Sequence, residues 1–103
     1  MPIINELQLA KELIRFPTVK TEDKGIMKFL SKKLTAVGFK CTLIKSKGTG
    51  AKPALNLYAR YGESKPHIMY LGHTDVVANL DNWKFPPFKA VVSKGYLLSL
   101  IHI

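Results

Sequence analysis

The sequence predicts a mixed α/β fold, with two N-terminal helices feeding a small mixed sheet. Three observations support this fold class: apolar residues recur at helical spacing over residues 5–37, they alternate with polar residues over 39–61, and a continuous apolar run covers 68–71. A chain of 103 residues is long enough for one domain at most. Its hydrophobic fraction of 47% is ordinary for a globular protein, which argues against disorder over the whole chain.

The first helix is predicted over residues 5–15, where the apolar residues fall on one face and charged residues lie away from it. Asn5 followed by Gln8 resembles a capping box, in which each residue satisfies a backbone N–H near the helix start. Pro17 ends the segment, because the residue before a proline is pushed away from helical geometry.

A second helix is predicted over residues 22–37, with Thr21 as a possible N-cap. The acidic residues of its first turn suit the positive end of the helix dipole. Gly38 is expected to stop the helix, since glycine readily adopts the left-handed conformation found just past helix ends.

Alternating residues predict half-buried strands over 39–45 and 55–61, and the turn residues of 62–66 follow the second strand. The continuous apolar run of 68–71 predicts a strand covered on both faces. A further short strand is predicted around 89–92. If the covering layers are incomplete, residues 68–71 should leave an exposed apolar patch.

The formal net charge of +9 raises the question of nucleic-acid binding. The lysines are spread along the chain without a block of five or six like charges, and only two of the 16 basic residues are arginine. We therefore favour a solvated lysine surface and expect no nucleic-acid partner. A free-standing basic α/β binding module is kept as the alternative from another functional class.

The expected location is the cytoplasm, with no membrane partner. No apolar run approaches the ~20 residues that span a bilayer, and the N-terminus lacks the pattern of a secretory signal. The single cysteine, Cys41, cannot form an internal disulfide, as is usual in a reducing compartment. Its alternation with Phe39 and Leu43 indicates a small core residue.

The segment of residues 72–77 carries the most chemistry. It follows the predicted strand of 68–71, and ligand sites of open α/β sheets lie beyond the carboxyl ends of strands. His73 and Asp75 are two residues apart, so in extended backbone their side chains point the same way. His73 can therefore ligate a metal while Asp75 holds its other ring N–H. Taken alone, the triplet also fits a histidine that caps a strand and an aspartate that forms a turn.

A larger set of segments resembles the N-terminal part of the aminoacylase/carboxypeptidase family, which are dinuclear zinc amide hydrolases. The resemblance covers about residues 5–97 and rests on these segments: 15–19, 37–39, 56–60 and 70–88, with 72–77, Trp83 and 86–88 the most distinctive.

The resemblance implies that His73 ligates one of two zinc ions and that Asp75 orients it and supports catalysis. It further implies a cytoplasmic homodimer with two zinc ions per full-length subunit, for which cobalt can substitute, and a small N-acyl amino acid as substrate. The branch that it resembles most hydrolyses N-succinyl-LL-2,6-diaminopimelate to succinate and LL-2,6-diaminopimelate, in lysine biosynthesis. A related deacylase that acts on acetylornithine, or another aminoacylase, is the alternative within the family.

The end of the chain departs from the family. Residues 98–103 stand where the family continues into the segment with its metal-bridging aspartate, and their sequence matches one reading frame of a sequencing adapter. We therefore expect residues 1–97 to be the N-terminal part of the catalytic domain and 98–103 to be a non-native tail from truncation. The general base and remaining ligands are expected outside this chain, which is expected to be inactive alone.

His67 is not expected to share a metal with His73. Six residues of extended strand span about 20 Å, so His67 is interpreted as a surface or turn residue. Residues 45–50 are rich in glycine and lysine but lack the spacing of a phosphate-binding loop. Trp83 is interpreted as a packing residue.

Overall fold

The computed structural model describes residues 5–19, 22–47, 53–76 and 86–98. Their contacts divide the described residues into two units. The first contains the described residues of 25–74, and the second combines those of 5–24 with those of 75–98. The described residues form two helices and two small antiparallel sheets, which confirms the mixed α/β class. The pairing is simpler than the predicted single mixed sheet, because each sheet consists of one antiparallel pair of strands.

Helix α1, Glu6–Ile14, belongs to the second unit and begins where the sequence predicts. The Asn5 side chain accepts a hydrogen bond from the Gln8 backbone N–H at 2.9 Å, which satisfies one of the donors left free at a helix start. The Gln8 side chain donates to Glu12 Oε1 at 3.0 Å, one turn along the same helix.

Helix α2, Ile26–Ala36, begins four residues later than predicted. The reason is the backbone of Lys24 and Gly25, which have φ angles of 53° and 93° in the left-handed region and so interrupt right-handed helix. Glu22 lies before the helix and forms an ion pair with Lys24 at 2.9 Å. The proposed N-cap, Thr21, lies outside the described residues.

The end of α2 confirms the prediction at Gly38, which has a φ of 103°. The Gly38 N–H donates to the Thr35 carbonyl at 3.1 Å, and the Phe39 N–H donates to the Leu34 carbonyl at 3.0 Å. This pair of bonds is the Schellman motif, which satisfies carbonyls that the helix leaves unpaired.

Replacing Gly38 with alanine is expected to lower the free energy of unfolding by about 1–2 kcal/mol, the cost of a left-handed conformation in an L-residue. The added Cβ would also lie 3.0 Å from Cε2 of Tyr61, whose ring packs 5.3 Å from that of Phe39. Urea unfolding followed by circular dichroism measures the change. Gly62→Ala is the matched control: its φ is also positive, at 77°, but its Cβ would meet nothing within 4 Å. A loss at Gly38 no larger than that at Gly62 would contradict the proposed contact.

Strands β1, Lys40–Ser46, and β2, Ala54–Arg60, form an antiparallel ribbon in the first unit, each within one residue of its predicted position. Cys41 pairs with Ala59, and its sulfur lies 3.6 Å from the Ser31 carbonyl of α2. Side chains alternate across a strand, so the row that contains Cys41 faces the helix. Cys41 is only half-buried in this interface, so it packs against the helix but is not the fully buried core residue that its alternation predicts.

The predicted strand of residues 68–71 is wrong. These residues, named here the apolar segment, have no regular secondary structure, and their exposed fractions are 100% for Ile68, 77% for Met69, 93% for Tyr70 and 90% for Leu71. A strand exists only with a hydrogen-bonded partner, and no strand in the described part of the chain pairs with this segment. The predicted apolar patch is confirmed.

The second unit contains a short hairpin of β3, Val92–Ser93, and β4, Tyr96–Leu97. Lys94 and Gly95 both have positive φ angles, 50° and 81°, as the two central residues of a tight hairpin turn require. The strand predicted at 89–92 is therefore displaced towards this turn.

Of the predicted tail, 98–103, only Leu98 is described, and its N–H donates to the Val91 carbonyl at 2.8 Å. Among the residues described, no helix is both long and apolar enough to cross a membrane.

Candidate functional site

The two residues predicted to carry the chemistry, His73 and Asp75, are both exposed, and Thr74 between them is half-buried. His73 does not end a strand, because the apolar segment before it is not one. The division between the two units falls between Thr74 and Asp75. The predicted hydrogen bond from His73 to Asp75 therefore stays a prediction.

The residue after Asp75 is anchored within the second unit. The Val76 N–H donates to the Thr18 carbonyl at 2.9 Å, and Val19 and Val76 form an isolated parallel bridge. Two of the segments that carried the family resemblance, 15–19 and 72–77, are thus joined by backbone pairing. This contact fixes the chain immediately beyond Asp75.

Thr18 was not singled out from the sequence, although it is one of the most buried residues, with 3% of its surface exposed. Its N–H donates to the Phe16 carbonyl at 2.9 Å, and its carbonyl accepts from Val76. In the sequence, Thr18 could have been noticed only by its position after Pro17, in a segment that resembles the family. Thr18 supports the backbone next to the candidate site.

Within the first unit, His67 precedes the apolar segment. It is exposed, which confirms its interpretation as a surface residue. Its Nε2 atom lies 2.8 Å from Nη2 of Arg60, at the end of β2. The same guanidinium donates to the carbonyl of Gly62 at 3.0 Å and to that of Glu63 at 3.4 Å. One side chain therefore holds several points of the loop that leads towards His73.

The described residues do not form a closed metal site. Among them, no group of three or more histidine, cysteine, aspartate or glutamate residues is placed to hold a metal ion. A catalytic zinc takes three protein ligands and leaves one position for water or substrate. His73 can therefore be one ligand of such a centre but cannot complete it with the neighbours described.

The two helices and two small antiparallel sheets form a mixed α/β structure. Together with the motif of 72–77, this structure is consistent with part of a peptidase-like domain. No family model matches the chain. Comparison with curated proteins is more informative, because the chain is 49% identical over 100 residues to the succinyl-diaminopimelate desuccinylase of Pelagibacter ubique, a match that covers 95% of this chain and 26% of that protein.

Further relatives carry the same name. The chain is 41% identical over 93 residues to the enzyme of Parvibaculum lavamentivorans, which covers 88% of this chain and 24% of that protein. It is 38% identical over 96 residues to that of Ehrlichia chaffeensis, covering 91% and 25%. The chain is thus homologous, over most of its length, to succinyl-diaminopimelate desuccinylases, which confirms the predicted resemblance. It spans about a quarter of the length of these relatives.

Proposed function

We propose that this chain is part of an enzyme that hydrolyses the amide bond of N-succinyl-LL-2,6-diaminopimelate, releasing succinate and LL-2,6-diaminopimelate. The observation that carries this proposal is the 49% identity to a succinyl-diaminopimelate desuccinylase over 95% of the chain. Residues 1–97 are assigned to the catalytic domain, and 98–103 are left out of it. The chain alone is proposed to be inactive.

Within that enzyme, His73 is proposed as a metal ligand and Asp75 as the carboxylate that orients it. An imidazole ligates through one neutral nitrogen, and a carboxylate that accepts from the other ring N–H fixes the tautomer and raises the basicity of the ligand. When bound, zinc would supply Lewis acidity and a water of lowered pKa. Because the described donors do not complete a zinc site, the other ligands and the general base are proposed to lie elsewhere in the enzyme.

Contacts within each unit support the chain near these residues. The bond from Val76 to Thr18 fixes the chain after Asp75, and the contacts of Arg60 fix the loop before the apolar segment. Such support matters because metal ligands must be held in place before the metal binds. We further propose that the complete enzyme is a cytoplasmic homodimer with two zinc ions per subunit, for which cobalt can substitute.

A chimera tests the proposed reaction. Residues 5–97 of this chain would replace the aligned segment of the Pelagibacter ubique relative, and succinate release from N-succinyl-LL-2,6-diaminopimelate would be measured. A second chimera would use an acetylornithine deacetylase as host, assayed with acetylornithine. We expect activity from the first host and little from the second, because packing against the transplanted segment must match. Activity in the deacetylase host alone would contradict the assignment and favour the alternative deacylase.

The isolated chain is expected to bind zinc only weakly, as a surface histidine does, because a single ligand cannot replace the three of a catalytic site. Calorimetric titration with zinc should therefore give an affinity that His73→Ala barely changes. Sub-micromolar binding that disappears in His73→Ala would mean that this chain, or a second copy of it, supplies the missing ligands. That outcome would overturn the proposed division of the metal site.

A further inference from the structure

We propose that Thr18 is a positioning residue for Asp75 and acts through its backbone carbonyl. The Val76 N–H donates to that carbonyl at 2.9 Å, and all three residues lie in the same unit. The consequence for catalysis rests on the proposed function of Asp75, whereas the contact itself rests on this geometry.

The contact acts directly on the backbone of Asp75. A peptide group is planar, so the Val76 N–H and the Asp75 carbonyl lie in one plane. Holding the N–H therefore restricts rotation about the bond that joins this plane to the Asp75 Cα. The contact belongs to the parallel bridge between Val19 and Val76, so the two stretches of chain run alongside each other here.

The accepting carbonyl is itself held in place, because residues 16–19 are tightly wound. The Thr18 N–H donates to the Phe16 carbonyl at 2.9 Å. The Val19 N–H donates to the Pro17 carbonyl at the same distance, 2.9 Å. Bonds between residues two apart close γ-turns, and the proline ring fixes its own φ. The Thr18 carbonyl is thus a fixed acceptor just beyond the end of α1.

Burial separates the anchor from the residue that it positions. Thr18 is 3% exposed and Val76 is half-buried, whereas Asp75 is exposed. A hydrogen bond in such surroundings is electrostatically stronger than one in water. Successive side chains of extended chain lie on opposite faces, so anchoring Val76 leaves the Asp75 carboxylate accessible on the other face.

The first test uses the whole chain, without metal or substrate. Chemical synthesis replaces the Val76 N–H with an ester oxygen, which removes the donor and keeps the side chain. The order parameter of the Asp75 N–H, from nitrogen relaxation, should be about 0.85 before this change, as in rigid backbone, and below about 0.6 after it. The matched control is an ester at Phe39, whose N–H donates to the Leu34 carbonyl at 3.0 Å in the other unit. This control should leave the order parameter of Asp75 unchanged.

An ester at Val19 is the second variant, because it turns the Thr18 carbonyl into a weaker acceptor. It should lower the order parameter of Asp75 in the same direction. An order parameter already below about 0.6 in the unmodified chain would overturn the positioning role. An order parameter that the Val76 ester leaves unchanged would overturn it as well.

The second test measures catalysis in the chimera with the Pelagibacter ubique host. The Val76 ester should lower kcat for succinate release about fivefold with little change in KM, as expected for the loss of one net hydrogen bond. Combined with Asp75→Asn, the ester should have almost no further effect, because the bond acts through that carboxylate. Losses that multiply would make the bond merely structural and overturn the proposal. An inactive unmodified chimera would count against the proposed function, while the order parameters of the isolated chain would still decide the positioning.

Discussion

In the chimera with the Pelagibacter ubique host, His73→Ala is expected to lower kcat/KM for succinate release by at least about a thousandfold. The proposed ligand holds a metal whose charge stabilisation amounts to several kcal/mol, and each 1.36 kcal/mol corresponds to a factor of ten in rate. The measurement is a steady-state assay of succinate release at several substrate concentrations.

Asp75→Asn should have a smaller effect, about 10–100-fold, as is typical when a group that orients a metal ligand is removed. Glu6→Gln is the matched control, because it also changes a carboxylate to an amide but lies exposed in the first turn of α1. Its activity should match that of the unmodified chimera. Equal losses for Asp75→Asn and Glu6→Gln would remove the proposed role of Asp75.

The second large effect concerns the apolar segment. Four consecutive large apolar side chains that are at least 77% exposed form a patch of the kind that soluble monomers avoid. The isolated chain is therefore expected to self-associate and to bind a hydrophobic dye. Replacing Ile68 and Tyr70 with serine should reduce dye fluorescence severalfold and shift the protein towards monomer in size-exclusion chromatography.

Leu7→Ser is the control for that experiment, because Leu7 is 52% exposed but lies on α1, in the second unit, and is not one of the residues of the apolar segment. It should leave dye binding nearly unchanged. A monomer that melts in one sharp transition and binds no dye would show that the apolar segment is covered in solution. The chain would then fold cooperatively on its own, which would contradict the exposure of the apolar segment in the structure.

Local signals were sufficient for much of the fold. The cap at Asn5, the stop at Gly38 and the alternation in β1 and β2 each depend on residues close in sequence, so the pattern determines the structure. The start of α2 was misplaced because the acidic residues at 22 and 23 indicated an earlier first turn. The left-handed backbone of Lys24 and Gly25 prevents the helix from starting there. The turn at Lys94 and Gly95 was missed although glycine after a residue with positive φ is typical of tight hairpins.

The apolar segment shows the limit of such reasoning. Its composition predicts a buried strand, but strand formation depends on pairing partners, which a local pattern does not specify. The candidate site is similar: the pattern picks out His73 and Asp75, whereas the contact of Arg60 with His67 depends on how the loop folds back. The bond from Val76 to Thr18 joins residues 58 positions apart, which no local rule predicts.

The most direct test of the central claim, that His73 supplies a ligand to a metal centre completed elsewhere in the enzyme, is the zinc content of the chimera by elemental analysis. The unmodified chimera should contain about two zinc ions per subunit, and His73→Ala should lose about one of them while remaining folded by circular dichroism. Glu6→Gln should retain both. Two zinc ions retained in His73→Ala would contradict the account, because His73 would then not be a ligand.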